Sequence, residues 1–276
     1  MFLKLFSGQI YQSSSNGSIN SIMSHRIDLD SISTLPVEKI SKWKAANKNI
    51  RLIKKLAAIQ DKLYAQKQYS VLIVIQGMDT AGKDGAVKNV FSGVNPAGCN
   101  VKSFKVPTVE EASHHFLWRV SKECPQKGMI QIFNRSHYED LLIPIINNSL
   151  PDKQFKERCN EINIFEKGLV KNDTILLKFF LNISHPEQLR RLDARKTDTN
   201  KRWKFQKEDI VDIKKHNKYK KAYESIFARC SDAEKWQIIP ADKKWYKNYC
   251  ILNFIVNRLE NHKINYPDLK LRDILK

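Results

Sequence analysis

The chain has 276 residues, 42% of them hydrophobic, and carries 48 Lys and Arg against 29 Asp and Glu, a net charge of +19. That length and apolar content are sufficient for one large α/β domain with a substantial core. The excess positive charge favours a polyanionic partner, and no apolar run approaches the roughly 20 residues of a transmembrane helix.

The five cysteines, at positions 99, 124, 159, 230 and 250, are odd in number and include no Cys-x-x-Cys pair. This pattern argues against both a disulfide framework and a zinc site. It fits the reducing cytoplasm, where we expect to find the protein.

Residues 1–30 are expected to form a disordered leader, because the serine-rich segment Ser13–Ser21 cannot bury enough surface to fold. The apolar start is interrupted by Lys4 and lacks a small-residue cleavage site, so a signal peptide is not indicated, and Met23 is a second candidate start. Residues 31–276 are predicted to form a single domain. It opens with one or two amphipathic helices over Thr34–Lys67, where apolar residues recur at helical spacing.

From residue 70 onward, apolar runs of strand length alternate with helical stretches, which predicts an α/β fold with a parallel sheet covered by helices on both faces. The predicted strands are Ser70–Ile75, Asn100–Val106, Met129–Phe133, Thr174–Ile183 and Trp236–Pro240. The predicted helices lie near Gly85–Ser92, Val109–Lys122, Tyr138–Ile146, Asp152–Asn172, Pro186–Arg195, Glu208–Cys230 and Lys243–Leu259.

A Gly-x4-Gly-Lys motif runs from Gly77 to Lys83, directly after the first predicted strand and before a predicted helix. In that context glycines let main-chain N–H groups point at phosphate, and the lysine adds a positive charge. The alternative is an ordinary glycine turn. Asp84 stands where a magnesium-ligating Ser or Thr usually follows the lysine, which weakens an ATPase interpretation. Asp79, inside the loop, is either a magnesium ligand or proton acceptor, or a turn residue.

Polar residues from Asn134 to Asp140 follow the third predicted strand, at the sheet edge where α/β folds bind ligands. Arg135 is a candidate for bidentate phosphate binding. The alternative is a helix start capped by Asn134 or Ser136, with acids in the first turn. We interpret His137 as a hydrogen-bonded structural histidine, because no metal-ligand spacing surrounds it.

The segment Arg190–Lys221 holds 13 Lys or Arg against 5 Asp or Glu, with three aromatic residues interleaved. Such a run most often forms a solvated charged helix, and less often a nucleic-acid-binding surface. Given a phosphate loop, we favour a mobile lid that closes over the reacting phosphate and delivers an arginine.

Six blocks, in order, resemble the polyphosphate kinase 2 family from about Glu38 to about Glu260. They are Gly77-Met78-Asp79-Thr80-Ala81-Gly82-Lys83-Asp84-Gly85, Val94-Asn95-Pro96-Ala97-Gly98-Cys99, Ser103-Phe104-Lys105-Val106-Pro107, Phe133-Asn134-Arg135-Ser136-His137-Tyr138-Glu139-Asp140, Trp203-Lys204-Phe205 and Pro240-Ala241-Asp242-Lys243-Lys244-Trp245-Tyr246.

The resemblance implies a thymidylate-kinase-like P-loop fold, a three-layer α/β sandwich with a parallel five-stranded sheet and a helical lid over about residues 190–221. It implies reversible phosphoryl transfer between inorganic polyphosphate and ADP or AMP, with GDP as a further acceptor. Mg²⁺ is the implied cofactor, with Mn²⁺ as a substitute. The expected assembly is a homo-oligomer without nucleic-acid or membrane partners.

The same resemblance assigns residue roles. The implied catalytic residues are Asp79, Lys83, Arg135 and Arg195. The implied phosphate- and nucleotide-binding residues are Gly77, Ala81, Gly82, Lys83, Asp84, Gly85, Lys105, Asn134, Arg135 and Lys204. The implied metal ligands are Asp79, Glu139, Asp140 and Asp209.

The sequence is compatible with more than one nucleotide acceptor and with two rival functions. Asn134 stands where ADP-using members commonly carry an Asp, and its block looks closer to members that accept both AMP and ADP. An ATP-dependent nucleotide kinase of the same fold and a basic nucleic-acid-binding protein are the alternatives.

Overall fold

The computed structural model describes residues 27–199, 202–205 and 213–268. Their strands form one parallel sheet in the order β2-β3-β1-β4-β5. The central strands β1 and β4 are buried along their whole length, which explains their almost continuous apolar sequences. The five predicted strands are confirmed, as β1 Ser70–Gly77, β2 Cys99–Ser103, β3 Ile130–Asn134, β4 Thr174–Asn182 and β5 Trp236–Pro240.

Helices cover both faces of this sheet. In the sheet, the connection from β1 to β2 runs toward one edge, and the connection from β3 to β4 runs toward the other edge. Because both crossovers are right-handed, their helices lie on opposite faces of the sheet. The helices are α1 Lys42–Gln66, α2 Lys83–Val90, α3 Val109–Ser113, α4 Trp118–Ser121, α5 Glu139–Ile146, α6 Asp152–Lys171, α7 His185–Thr197, α8 His216–Arg229 and α9 Lys244–Glu260.

The helix predicted over Val109–Lys122 is wrong, because two short helices replace it. A capping box between Thr108 and Glu111 starts α3, and the chain turns extended at His114. His114 Nδ1 lies 2.8 Å from Glu110 O, and its ring stacks on Trp118 with centroids 3.9 Å apart. These side-chain contacts take the place of the helical hydrogen bonds that the sequence pattern predicted.

Other boundaries shift less. The helix predicted near Gly85–Ser92 already begins at Lys83. Of the helix predicted over Glu208–Cys230, residues 208–212 lie outside the described residues. Leu29 is buried, and its N–H donates to Glu224 on α8 at 2.8 Å. The packed chain therefore begins before the predicted boundary at residue 30.

The segment Thr34–Lys67 contains one long helix, α1, capped by the Ser41 side chain. It lies against α9, where Lys55 pairs with Glu260 at 2.9 Å. Among the helices that the structure describes, none combines the length and the apolar character needed to cross a bilayer.

Candidate active site

The segment between β1 and α2 passes very close to neighbouring elements. A Cβ atom at Gly77 would lie 3.0 Å from the Cβ of Leu181 on β4. Gly82 has a φ of +91°, and a Cβ there would lie 2.8 Å from Lys247 Nζ. Both positions therefore require glycine, one for close approach and the other also for its backbone conformation.

Lys83 begins α2 and bends its ammonium back toward the loop. Nζ donates to Gly77 O at 2.6 Å and to Met78 O at 3.3 Å. Burial, followed by the nearby Arg135 charge, lowers the pKa of Lys83 to about 8. Since carbonyl oxygens hold the ammonium without neutralising it, the positive charge stays available to an anion.

Arg135 joins the end of β3 to the loop. It adopts a left-handed conformation with φ 64°, and its Nη2 donates to Asp79 Oδ1 at 2.9 Å. Thr80, beside Asp79, is also left-handed, with φ 63°. Such backbone strain in residues other than glycine is concentrated at functional sites. Two residues singled out from different motifs are therefore in direct contact.

Two further acids lie beside this ion pair. Burial raises the pKa of Glu139, although Arg135 and Lys83 oppose the shift. Asp84, in the first turn of α2, accepts a hydrogen bond from Asn134 Nδ2 at 2.9 Å. Asn134 thus donates to an acid where an aspartate at the same position would repel it.

Asp140 and Lys105 lie away from these contacts. Asp140 Oδ2 accepts from Arg119 Nη2 at 3.0 Å, and the Lys105 carbonyl accepts from Arg119 Nη1 at 2.9 Å. The Lys105 side chain is exposed. Arg119 thus pairs with Asp140 and also lies 3.6 Å from Glu111 Oε2, and the metal role of Asp140 stays a prediction.

The remaining predicted residues are distributed between the loop and the segment predicted to form a lid. Ala81 is buried, and a Cβ at Gly85 would meet nothing within 4 Å. Arg195 lies on α7 and is partly buried. Lys204 lies in the short turn Arg202–Lys204, and Asp209 lies outside the described residues.

A cavity of about 500 Å³ lies beside Arg119 and Asp140. Its volume is within the range of small-molecule sites. The lining combines rings with two arginines and four carboxylates, and the carboxylates are those of Glu111, Asp140, Glu157 and Glu161.

The family model described as polyphosphate kinase 2 matches residues 39–267, which is most of the chain. The chain belongs to the polyphosphate kinase 2 family. It is 43% identical over 217 residues to the AMP/ADP-polyphosphate phosphotransferase of Meiothermus ruber, covering 78% of this chain and 81% of that protein. It is 35% identical over 229 residues to the ADP-polyphosphate phosphotransferase of Rhodopseudomonas palustris, covering 78% and 79%.

The fold agrees with that of another polyphosphate kinase 2. The crystal structure of the enzyme from Arthrobacter aurescens TC1 matches this chain with a TM-score of 0.84 and 32% identity, over 90% of this chain and 93% of that one. The predicted P-loop kinase fold with a five-stranded parallel sheet is therefore confirmed.

Three side chains that the motifs did not single out contact the loop of this polyphosphate kinase 2. They are Gln188 and Arg191 on α7 and Lys247 on α9. Lys247 directly follows the block ending at Tyr246, and Arg191 lies in the basic segment, so each had a weak signal. Neither signal indicated that these residues reach the main chain of the loop.

Proposed function

We propose that residues 77–85 of this polyphosphate kinase 2 hold the terminal phosphates of inorganic polyphosphate and that transfer to a nucleotide occurs there. The family makes the enzyme a polyphosphate–nucleotide phosphotransferase. One observation supports this location of the site. Lys83, held by carbonyl oxygens, lies at the same loop as the Arg135 and Asp79 pair.

In the proposed reaction, an oxygen of the nucleotide's terminal phosphate attacks the terminal phosphorus of polyphosphate in line. A new P–O bond forms while the anhydride P–O bond to the rest of the chain breaks, and its electron pair stays on the departing oxygen. No phosphoenzyme forms. Lys83 and the loop amides hold the donor, Arg135 binds phosphate oxygens, and Arg195 stabilises transition-state charge. Positioning and charge neutralisation supply the catalysis.

Mg²⁺, replaceable by Mn²⁺, is the proposed cofactor. In phosphoryl-transfer sites Mg²⁺ binds one or two carboxylates and completes its shell with water and substrate phosphates. Among the described residues there is no group of three or more His, Cys, Asp or Glu placed to hold a metal. Burial is the main cause that raises the pKa of the Glu139 carboxyl, and the nearby charge of Asp79 raises it further. These two acids fit an ion shared with phosphates, which would neutralise charge during transfer.

We propose AMP and ADP as the acceptors. The relatives named above as AMP/ADP- and ADP-polyphosphate phosphotransferases support this, and Asn134 at the end of β3 favours the dual specificity. A relative from Pseudomonas aeruginosa is named GDP-polyphosphate phosphotransferase, so guanine nucleotides belong in the assay. The cavity beside Arg119 is the proposed site of the nucleoside base, because its rings suit a base. Both of its arginines already bond to Asp140 and four carboxylates line it, so we propose that the phosphates lie outside this cavity.

The remaining proposals concern organisation. Residues 31–276 are proposed to act as one P-loop domain, with a lid over about residues 190–221 that carries Arg195. A homo-oligomer is supported by the exposed Trp43 and Ile50 on α1. The five free cysteines support a reducing cytoplasmic location. Nucleic acid is not a proposed partner.

One assay tests the activity and its rivals together. The purified protein is incubated with Mg²⁺ and either polyphosphate or ATP as donor, offered AMP, ADP, GMP or GDP separately, and the products are resolved by chromatography. Binding of a labelled oligonucleotide is measured in parallel. We expect ADP and ATP from the adenine acceptors. Phosphorylation of AMP by ATP without any by polyphosphate would instead indicate an ATP-dependent nucleotide kinase. Tight oligonucleotide binding without nucleotide turnover would indicate a nucleic-acid-binding protein.

A further inference from the structure

Each carbonyl oxygen from Gly77 to Gly82 accepts a hydrogen bond from a side chain. Lys83, within the motif, holds the first two, as described above. The other four accept side-chain donors from outside the loop, and Gly82 O also accepts the first helical hydrogen bond of α2, from Ala86 N at 3.0 Å. Gln188 Nε2 donates to Asp79 O at 2.9 Å, Arg191 Nη1 donates to Thr80 O at 3.0 Å and Ala81 O at 3.1 Å, and Lys247 Nζ donates to Gly82 O at 2.6 Å.

The orientation of these carbonyls determines where the amides point. In a trans peptide the C=O of one residue and the N–H of the next lie in one plane and point in opposite directions. Holding Ala81 O and Gly82 O from α7 and α9 therefore directs the N–H groups of Gly82 and Lys83 to the other side. These are the amides that a phosphate in the loop would use.

Arg191 and Lys247 are buried cations, with 7% and 1% of their surface exposed. Arg191 Nε pairs with Glu187 at 2.7 Å, and its Nη2 donates to Ala241 O and Asp242 O just after β5. Among the described residues, no carboxylate lies within ion-pair distance of Lys247 Nζ. A buried ammonium with only a carbonyl partner costs folding free energy, which indicates a use other than stability.

We propose that Lys247, together with Arg191, is a positioning residue for phosphoryl transfer: it holds the carbonyl face of the phosphate loop so that the amides of Gly82 and Lys83 face the transferred phosphoryl group. The proposal rests on the proposed function of residues 77–85. In its protonated form, Lys247 also places a positive charge directly behind the helix start that receives the phosphate. Its effect on the reaction is exerted through the loop and not by contact with the substrate.

The test compares Lys247→Met, which removes the donor and the charge, with Lys247→Gln, which keeps an uncharged donor, and Lys247→Arg, which keeps both. Lys243→Met is the matched control, because Lys243 is exposed at the start of the same helix and its loss changes the net charge equally. The measurements are kcat and KM for polyphosphate at saturating ADP, and the midpoint of thermal unfolding.

We expect Lys247→Met to lower kcat by about 10- to 100-fold relative to the control, since small misplacements of a catalytic cradle have effects of that size. KM should change much less, the unfolding midpoint should not fall, and Lys247→Arg should recover most of the rate. Lys247→Gln should lie between them, and it also serves as the measurement if the Met variant fails to fold.

Two results would overturn the inference. One is a kcat for folded Lys247→Met or Lys247→Gln within about twofold of the control, well below the effect expected of a positioning group. The other is a rate loss that follows the unfolding midpoint and is not rescued by Lys247→Arg, which would show a structural role alone. Lys83→Ala, assayed in parallel, distinguishes a failure of the positioning role of Lys247 from a failure of the proposed phosphate site. If Lys83→Ala stays active, the proposed site itself is wrong.

Discussion

Two clusters of charged residues in this enzyme differ in burial and in how their charges are paired. The Glu166 cluster consists of Glu166, Lys178, His137 and Tyr138. Lys178 Nζ lies 2.7 Å from Glu166 Oε2, the Tyr138 hydroxyl donates to Oε1 at 2.5 Å, and His137 Nε2 lies 3.2 Å from Oε1. Glu166, Lys178 and His137 are wholly buried. Each charge in this cluster therefore meets an opposite charge or a hydrogen-bonding partner.

The phosphate-loop cluster, comprising Asp79, Lys83, Arg135 and Glu139, is arranged differently. Carbonyl oxygens hold Lys83, and Arg135 is 42% exposed although it pairs with Asp79. The first cluster uses its charges within the fold, while the second keeps positive charge available for a polyanion. Substitutions in the two clusters should therefore separate stability from activity.

The largest effect is expected for Lys83→Ala. Removing the ammonium from the loop should lower kcat/KM for transfer by about 10³-fold or more, because charge neutralisation supplies most of the catalysis in phosphoryl transfer. The free energy of unfolding should not fall, since a buried cation with carbonyl partners is removed. Steady-state assays and urea unfolding measure the two effects. Lys88→Ala, an exposed position on the same helix, is the control. Near-normal rates for Lys83→Ala would refute the site.

The opposite result is expected in the Glu166 cluster. Glu166→Gln or Lys178→Met leaves the partner buried and unpaired, which should lower the free energy of unfolding by about 3–5 kcal/mol. The transfer rate of the folded fraction at low temperature should stay within a few-fold of the wild type. Combining Glu166→Leu with Lys178→Met should restore part of the stability. A double variant less stable than either single variant would contradict the pairing argument.

The salt dependence of polyphosphate binding should also differ between variants of the two clusters. If Lys and Arg neutralise about five phosphates, the log–log slope of polyphosphate affinity against salt is about −3.5, or roughly a 100-fold loss between 50 and 200 mM. Binding titrations at several salt concentrations measure it. Lys83→Ala should make the slope shallower, whereas Lys178→Met should leave it unchanged. A flat response in the wild type would count against a cationic binding site.

The strands and the phosphate loop could be predicted because both depend on local sequence. Strand-length apolar runs and the glycine spacing at Gly77 and Gly82 specify them, and the polar block after β3 placed Arg135 at the same sheet edge. The roles of Arg191 and Lys247 could not be predicted in the same way. Their contacts join residues 110 or more positions apart and depend on how α7 and α9 pack around the loop.

One other difference has the same physical origin. The helix predicted over Val109–Lys122 is divided because His114 bonds Glu110 and stacks on Trp118, contacts that apolar spacing does not encode. Asp140 directly follows Glu139, but neighbours on a helix point in different directions, and the Asp140 carboxylate pairs with Arg119. Its metal role stays a prediction. His137, interpreted as structural, is buried beside Glu166, as its lack of metal-ligand spacing suggested.

The smallest predicted effect is a pH dependence of stability at Lys247. Burial, followed by the Arg191 and Lys244 charges, lowers the pKa of Lys247 to about 7 from an ordinary value of 10.5. Below pH 7 the lysine is protonated in both the folded and unfolded chains, and the full cost of burying the charge is present. Between pH 7 and 10.5 the unfolded chain binds a proton that the folded chain lacks, so this cost declines as pH rises.

The Lys247→Met variant has no titrating group at this position in either the folded or the unfolded chain. Its stability advantage over the wild type should therefore shrink between pH 7 and pH 9, by at most about 1.4 kcal/mol per pH unit. Urea unfolding of both proteins at the two pH values measures the change, and Lys243→Met corrects for the loss of one positive charge. An advantage that widens with pH would mean that Lys247 is stabilised as a cation in the fold. Its bond to Gly82 O would then contribute to stability, and the inference that this buried ammonium serves a use other than stability would lose its support.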